Sequence, residues 1–167
     1  MNKNLANLAK EHADHGIKAK EKQSTFTLGD YEISALEYEA LVEISSLYGS
    51  TPENEYERHK IKVKGGRVVS YNISGKGLEK IPDVIGDLSN LRYLSLAGND
   101  LSSIPKSIGN LHDLRYLYLH GNDIKSIPSS VENLRNIRSF YLDKEKLDSS
   151  EEERINNAFG NRVVWTL

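Results

Sequence analysis

Two consecutive stretches of the chain align without a gap: LRYLSLAGNDLSSIPKSIGNLHD at residues 91–113 and LRYLYLHGNDIKSIPSSVENLRN at residues 114–136. The period is therefore 23 residues. One period earlier, residues 68–90 read VVSYNISGKGLEKIPDVIGDLSN, and one period later IRSFYLDKEKLDSS keeps only the first half of the pattern. Three full units and one partial unit predict a solenoid, because one such unit cannot bury its apolar side chains alone.

Each unit contains the pattern of a strand that is followed by a turn. Leu94 and Leu96 alternate with Tyr93 and Ser95, which predicts a strand with one buried face. An Ile-Pro step then predicts a turn or the first position of a short helix, because proline fixes φ. The step recurs at residues 81–82, 104–105 and 127–128.

An asparagine follows the strand in the two best-matched units, Asn99 and Asn122. We expect its side chain to bond backbone groups that the turn leaves unpaired. Lys76 and Glu145 occupy this position in the outer units, so the predicted asparagine ladder has only two rungs.

The pattern LxxLxLxxNxLxxIPxxIxxLxx resembles that of the leucine-rich repeat family. The stretches EYEALVEISSLYGSTP and GGRVVSYNISGKGL resemble the cap before the first repeat in many plant and bacterial members. The resemblance implies an α/β fold, a short right-handed leucine-rich-repeat solenoid with a parallel concave sheet. It also implies a helical N-terminal cap, and the sequence predicts a helix-plus-strand C-terminal cap.

The predicted organisation has four parts. They are a polar tail or frayed helix (1–24), an N-terminal helical cap and hairpin (25–67), the repeats (68–148) and a C-terminal cap (149–167). Both caps are expected to cover the apolar ends of the stack, which would otherwise invite aggregation.

Several local signals define the N-terminal cap. Ser34 and Glu37 form a capping box at the start of a helix, and Gly49 ends it. We expect that helix to bury its apolar face, consisting of Leu36, Ala40, Leu41, Ile44 and Leu47. Thr51-Pro52 predicts a second short helix, and Gly65-Gly66 predicts a two-residue hairpin turn.

The C-terminal cap is predicted to begin with an acidic helix. Ser149 and Ser150 precede Glu151 to Glu153, and Ile155 and Phe159 share one face before Gly160. Residues 162–166 then predict a last strand over the sheet edge.

Composition excludes several classes of protein. The 167 residues carry a net charge of −2, which does not favour nucleic acid, and no cysteine, which excludes disulfides and Cys-liganded metals. No apolar run approaches the ~20 residues of a membrane span, and no secretory signal is evident at the N-terminus. We therefore expect a cytoplasmic location and no membrane span.

No motif indicates catalysis or a cofactor. The phosphate-loop pattern GxxxxGK[ST] is absent. Two groups of residues could be considered as metal sites. His12, His15 and Glu11 are better explained as part of an exposed polar tail, because no third cluster of ligands is evident. The Glu151–Glu153 run is better explained as the start of a helix. We expect no enzyme activity, no metal and no cofactor.

The outward positions of the predicted strands form columns of arginine and tyrosine. These types are enriched at interface hot spots, so we predict a protein partner on the concave face, with acidic or phosphorylated groups facing the arginines. The predicted contact residues are Arg92, Tyr93, Arg115, Tyr116, Tyr118, His120, Arg138 and Tyr141.

Three other interpretations of these columns stay open. The tyrosines and arginines are also good cross-strand pairs, so sheet packing alone explains part of the pattern. A tyrosine-rich concave face suits carbohydrate or another small ligand, and exposed tyrosines suit self-association. The main prediction is a monomer that binds another protein.

Overall fold

The computed structural model describes residues 24–166. The predicted tail or frayed helix at 1–24 lies outside this range except for Ser24, as do His12, His15 and Glu11. The N-terminal elements are β1 (Thr25–Leu28), β2 (Tyr31–Ser34), α1 (Ala35–Ser46), α2 (Pro52–Glu57), β3 (Ile61–Lys64) and β4 (Arg67–Asn72).

The repeats and the C-terminal cap complete one six-stranded sheet in the order β3-β4-β5-β6-β7-β8. β3 and β4 are antiparallel, and every later pair is parallel. The remaining elements are β5 (Tyr93–Ser95), β6 (Tyr116–Tyr118), β7 (Ser139–Asp143), α3 (Ser149–Phe159) and β8 (Val163–Thr166).

A short 3-10 helix follows each Ile-Pro step on the side opposite the sheet. These helices span Asp83–Asp87, Lys106–Asn110 and Ser129–Asn133, and the proline lies at the residue before each one. The repeated apolar side chains fill the space between the sheet and these helices, and Leu91, Leu94, Leu96 and Leu114 are fully buried.

The predicted asparagine ladder is confirmed. Asn99 accepts the N–H groups of Lys76 and Leu78 at 2.9 and 3.2 Å and donates to two backbone carbonyls. Asn122 accepts the N–H of Leu101 at 3.1 Å and donates to the carbonyls of Leu96 and Leu119. Each buried amide therefore joins its own unit to the preceding one.

The last rung uses a different side chain. Asp143 Oδ2 accepts the N–H groups of Gly121 and Asn122 at 2.6 and 3.3 Å, and Thr166 donates to its other oxygen. A carboxylate therefore closes the turn where Glu145 replaces the asparagine.

The predicted capping box of α1 is confirmed in part: Ser34 Oγ accepts the Glu37 N–H at 3.3 Å, as an N-cap does. The Glu37 carboxylate accepts the Ser34 hydroxyl at 2.8 Å in place of the Ser34 backbone N–H of a full box. The predicted apolar face was partly wrong, because Leu36 and Leu47 are 56% and 42% exposed. The buried face is centred on Glu37, Leu41 and Ile44, and the two leucines lie together at one edge of it.

The β1–β2 hairpin was not predicted from the sequence. Its strands pair from Thr25↔Ser34 to Leu28↔Tyr31 around Gly29-Asp30, a dipeptide typical of two-residue turns. The second predicted helix is confirmed as α2, with Thr51 as its N-cap and Pro52 in its first turn.

At the other end, α3 begins earlier than predicted. Asp148 is the N-cap and accepts the Glu151 N–H at 2.8 Å, so Ser149 and Ser150 lie inside the helix. Ile155 and Phe159 are buried as predicted, and β8 pairs with β7 at the sheet edge.

Candidate partner-binding face

The sheet register aligns the outward side chains of successive strands. Tyr93, Tyr116 and Ser139 are direct partners in one row, and Ser95, Tyr118 and Tyr141 are direct partners in the next. Backbone hydrogen bonds between the strands fix the spacing of these side chains before any partner binds.

Four aromatic side chains form a cluster that we call the tyrosine stack: Tyr93, Tyr118, Tyr141 and His120. The rings of Tyr118 and Tyr141 stack with centroids 4.5 Å apart and planes 11° apart. The ring centroid of Tyr93 lies 5.2 Å from that of Tyr118, its diagonal neighbour. The ring centroid of His120 lies 5.9 Å from that of Tyr141 and 6.1 Å from that of Tyr118. All four side chains are partly exposed.

Burial raises the pKa of the Tyr118 hydroxyl above its ordinary value of 10.0, and the neighbouring tyrosines add smaller effects in the same direction. The hydroxyl is therefore neutral at physiological pH and can both donate and accept a hydrogen bond. His120 Nδ1 is buried without a hydrogen-bond partner among residues 24–166.

Next to the stack lies a shallow depression that we call the cationic groove. Its lining combines cations with neutral polar side chains and contains no carboxylate. The lining residues are His59, Lys62, Ser70, Asn72, Arg92, Tyr93, Arg115 and Tyr116.

Seven of the eight predicted contact residues fall in these two regions, and Tyr93 belongs to both. Tyr118, His120 and Tyr141 lie in the tyrosine stack, whereas Arg92, Arg115 and Tyr116 line the groove. Arg138 belongs to neither and is exposed just before β7.

The groove residues that lie outside the repeats, His59 and Lys62 among them, were not predicted from the sequence. Lys62 lies opposite Ser70 because the β3–β4 register shifts between Lys62 and Val63, and a regular two-residue hairpin would pair it one residue earlier. Val164 was also missed; it is the β8 partner of Tyr141 and is 36% exposed. The sequence contains no signal for the register shift.

A second groove, at the turns that follow the strands, contains Asp100, Asp123, Asp143 and Glu145. Much of its charge is already used inside the chain, because Asp143 bonds backbone N–H groups and Asp123 lies 3.1 Å from Lys146 Nζ. Within residues 24–166 no group of three His, Asp or Glu side chains is placed to hold a metal ion. In the same range no helix is long and apolar enough to cross a membrane.

A family model described as a leucine-rich repeat region matches residues 70–157, which is more than half of the chain. The chain therefore belongs to the leucine-rich repeat family, and its fold is a short right-handed α/β solenoid of that family. No curated protein sequence matches the chain.

Solved structures include similar folds. The leucine-rich repeat ectodomain of the receptor kinase SOBIR1 from Arabidopsis thaliana has a TM-score of 0.55 and 24% identity, over 68% of this chain and 71% of that one. A Leptospira interrogans leucine-rich repeat protein has a TM-score of 0.48 and 30% identity, over 59% of this chain and 24% of its own. The BIR2 ectodomain from Arabidopsis thaliana has a TM-score of 0.44 and 26% identity, over 50% of each chain. This chain thus spans about a quarter of the Leptospira protein.

Proposed function

We propose that the chain is a non-enzymatic protein-interaction module that binds its partner on the concave face of the repeat sheet. The observation that carries the proposal is the tyrosine stack on a rigid sheet, beside the arginines of the cationic groove. Tyrosine and arginine are the residue types that dominate binding energy at protein interfaces.

The stack supports tight binding because it is ordered in advance. Tyr118 and Tyr141 cover one face of each other's rings, so their rotamers are restrained before contact and less entropy is lost on binding. The same stacking leaves less ring face available to a sugar, which favours a protein over a carbohydrate.

The proposal includes a monomeric chain and a partner that presents acidic or phosphorylated groups. The arginines supply charge and planar hydrogen-bond donors, and the tyrosines supply apolar area with a polar tip. No catalytic step is proposed.

The test is a pull-down with quantitative mass spectrometry, using the full chain as bait. The concave variant carries Arg115→Glu and Tyr118→Ala. Its control carries Arg135→Glu and Tyr31→Ala, the same chemical changes at exposed residues elsewhere on the chain. Circular dichroism establishes that both variants are folded.

Proteins retained by the wild type and the control, and lost by the concave variant, support the proposal. Equal capture by all three baits contradicts it. Light scattering and a glycan array, each run with the same variants, test the two alternative roles of this face, self-association and carbohydrate binding.

A further inference from the structure

The cationic groove joins side chains from two parts of the molecule. Arg92 and Arg115 come from the repeats, whereas His59 and Lys62 come from the segment between α2 and the β3–β4 turn. His59 has a φ of 57°, the only positive value at a non-glycine residue among residues 24–166. Left-handed backbone is costly at such residues and persists where the surrounding structure holds it in place.

The arginines form a row of like charges. The Arg115 N–H donates to the Arg92 carbonyl at 2.9 Å, which fixes the two residues side by side, immediately before β6 and β5. Neighbouring parallel strands lie ~4.8 Å apart, and like charges opposite one another destabilise a sheet. The ion pairs found among residues 24–166 do not use Lys62, Arg92 or Arg115. An anion bound in the groove would offset the repulsion between these charges.

We propose that the cationic groove binds a phosphorylated side chain of the partner protein, and that the N-terminal cap supplies part of this subsite. The inference rests on the proposed function, because it assigns the chemistry of the partner at the same face. A phosphate carries up to two negative charges and three acceptor oxygens. It therefore matches a lining with three permanent cations and several neutral donors better than a single carboxylate does.

Two other occupants of the cationic groove fit it less well: residues 1–23 of the chain itself, and the acidic turns of a second copy. Residues 1–23 contain five lysines and three acidic residues, so their charge does not complement the groove. The carboxylates of a second copy are partly used by its own backbone and by Lys146. A phosphorylated segment meets neither objection, and the adjacent tyrosine stack offers apolar contact to the residues that flank its phosphate.

The experiment is an amide NMR titration of the full chain with N-acetyl-O-phosphoserine amide, and separately with the amide of N-acetylglutamate. We expect saturable shifts at Lys62, Ser70, Arg92 and Arg115 with the phosphate compound. An Arg92→Gln/Arg115→Gln variant should bind it at least about tenfold more weakly, because charge-assisted hydrogen bonds are lost. A Lys106→Gln/Arg135→Gln variant, which loses the same charge at exposed residues outside the groove, should bind as the wild type does.

Absence of saturable shifts, equal affinity for the glutamate compound, or unchanged binding by the Arg92/Arg115 variant overturns the inference. The two proposals fail separately. A partner that still binds the concave face after phosphatase treatment overturns the phosphate assignment and leaves the proposed function standing. Phosphoserine binding without any captured protein that depends on the concave face overturns the proposed function and leaves the preference of the groove for phosphate standing.

Discussion

The N-terminal cap closes the repeat stack with buried carboxylates, whereas the C-terminal cap closes it with ion pairs that stay partly exposed. Glu37 is 1% exposed and accepts the Val68 N–H at 3.1 Å, at the start of the first repeat. At the other end, Glu151 and Arg154 bond the N–H and the carbonyl of Ile127, both at 2.6 Å. Their side chains are 15% and 30% exposed.

The difference shows how much water each cap removes from the same kind of bond. Both caps satisfy backbone groups of a repeat with charged side chains. Removing a buried acceptor leaves its donor without water, whereas a partly exposed donor regains water when its partner is lost. The N-terminal cap should therefore be the more sensitive of the two.

The largest effect is expected for Glu37→Ala. The change leaves the Val68 N–H unsatisfied and removes the capping partner of Ser34, so the free energy of unfolding should fall by about 3 kcal/mol. Urea denaturation measures the loss. Glu39→Ala, at an exposed position of the same helix, is the control and should cost less than about 0.5 kcal/mol. Equal losses for the two variants would contradict the comparison of the caps.

The next effect tests how tightly the N-terminal cap is packed. Gly29 and Gly65 each begin a hairpin turn with nearly the same φ, 59° and 58°. A Cβ at Gly29 would overlap the Tyr56 ring, whereas a Cβ at Gly65 meets nothing within 4 Å. Both alanine variants pay the cost of left-handed backbone, and Gly29→Ala should lose about 1–3 kcal/mol more. Thermal unfolding of the two variants measures the difference, and equal melting temperatures would show that Tyr56 moves freely.

A smaller loss is expected from Arg154→Ala in the C-terminal cap. The variant gives up the bond to the Ile127 carbonyl and the pairs with Glu132 and Glu151, but water can replace them. We expect a loss of about 1–2 kcal/mol in urea. Glu153→Ala, at an exposed position of α3, serves as the control. A loss as large as that of Glu37→Ala would remove the distinction between the caps.

The smallest effect concerns pH. The Arg154 guanidinium and the Ile127 N–H hold the pKa of Glu151 below its ordinary value of 4.5, although burial opposes them. Its stabilisation is therefore fully present above pH 4.5 and is lost as pH falls through the lowered folded-state value. The stability advantage of the wild type over Glu151→Gln should shrink between pH 5 and pH 3, by less than about 1 kcal/mol because the group is partly exposed. An advantage that grows on acidification has the wrong sign for this linkage.

The repeats could be predicted from the sequence because each position recurs every 23 residues. Leu94, Leu117 and the bonds of Asn99 follow from that recurrence and from strand alternation. The caps have no second copy to compare, so their details were predicted less well. Burial of Glu37 runs against the usual exposure of carboxylates. It is explained by the Val68 N–H and the Ser34 hydroxyl, which donate to the carboxylate, and by Arg67, whose guanidinium lies 3.7 Å away.

The candidate site divides in the same way. The aromatic and arginine columns were predictable from the repeat register, whereas the Tyr93–Tyr118 contact is a diagonal one that the columns do not show. Lys62 reaches the groove only through the register shift in β3 and β4, and His59 only through a left-handed backbone. Both depend on non-local packing.

At one repeat position the residue type depends on whether another repeat follows. It is Gly86 and Gly109 in the first two units, where a Cβ would press on Ser107 and on Ser130 of the next turn, and Glu132 in the third. There the larger side chain contacts Arg154 of the cap instead. The residue at this position therefore limits the number of repeats. If the third unit were duplicated, we expect that Glu132 would have to be replaced by glycine for the added unit to pack against it.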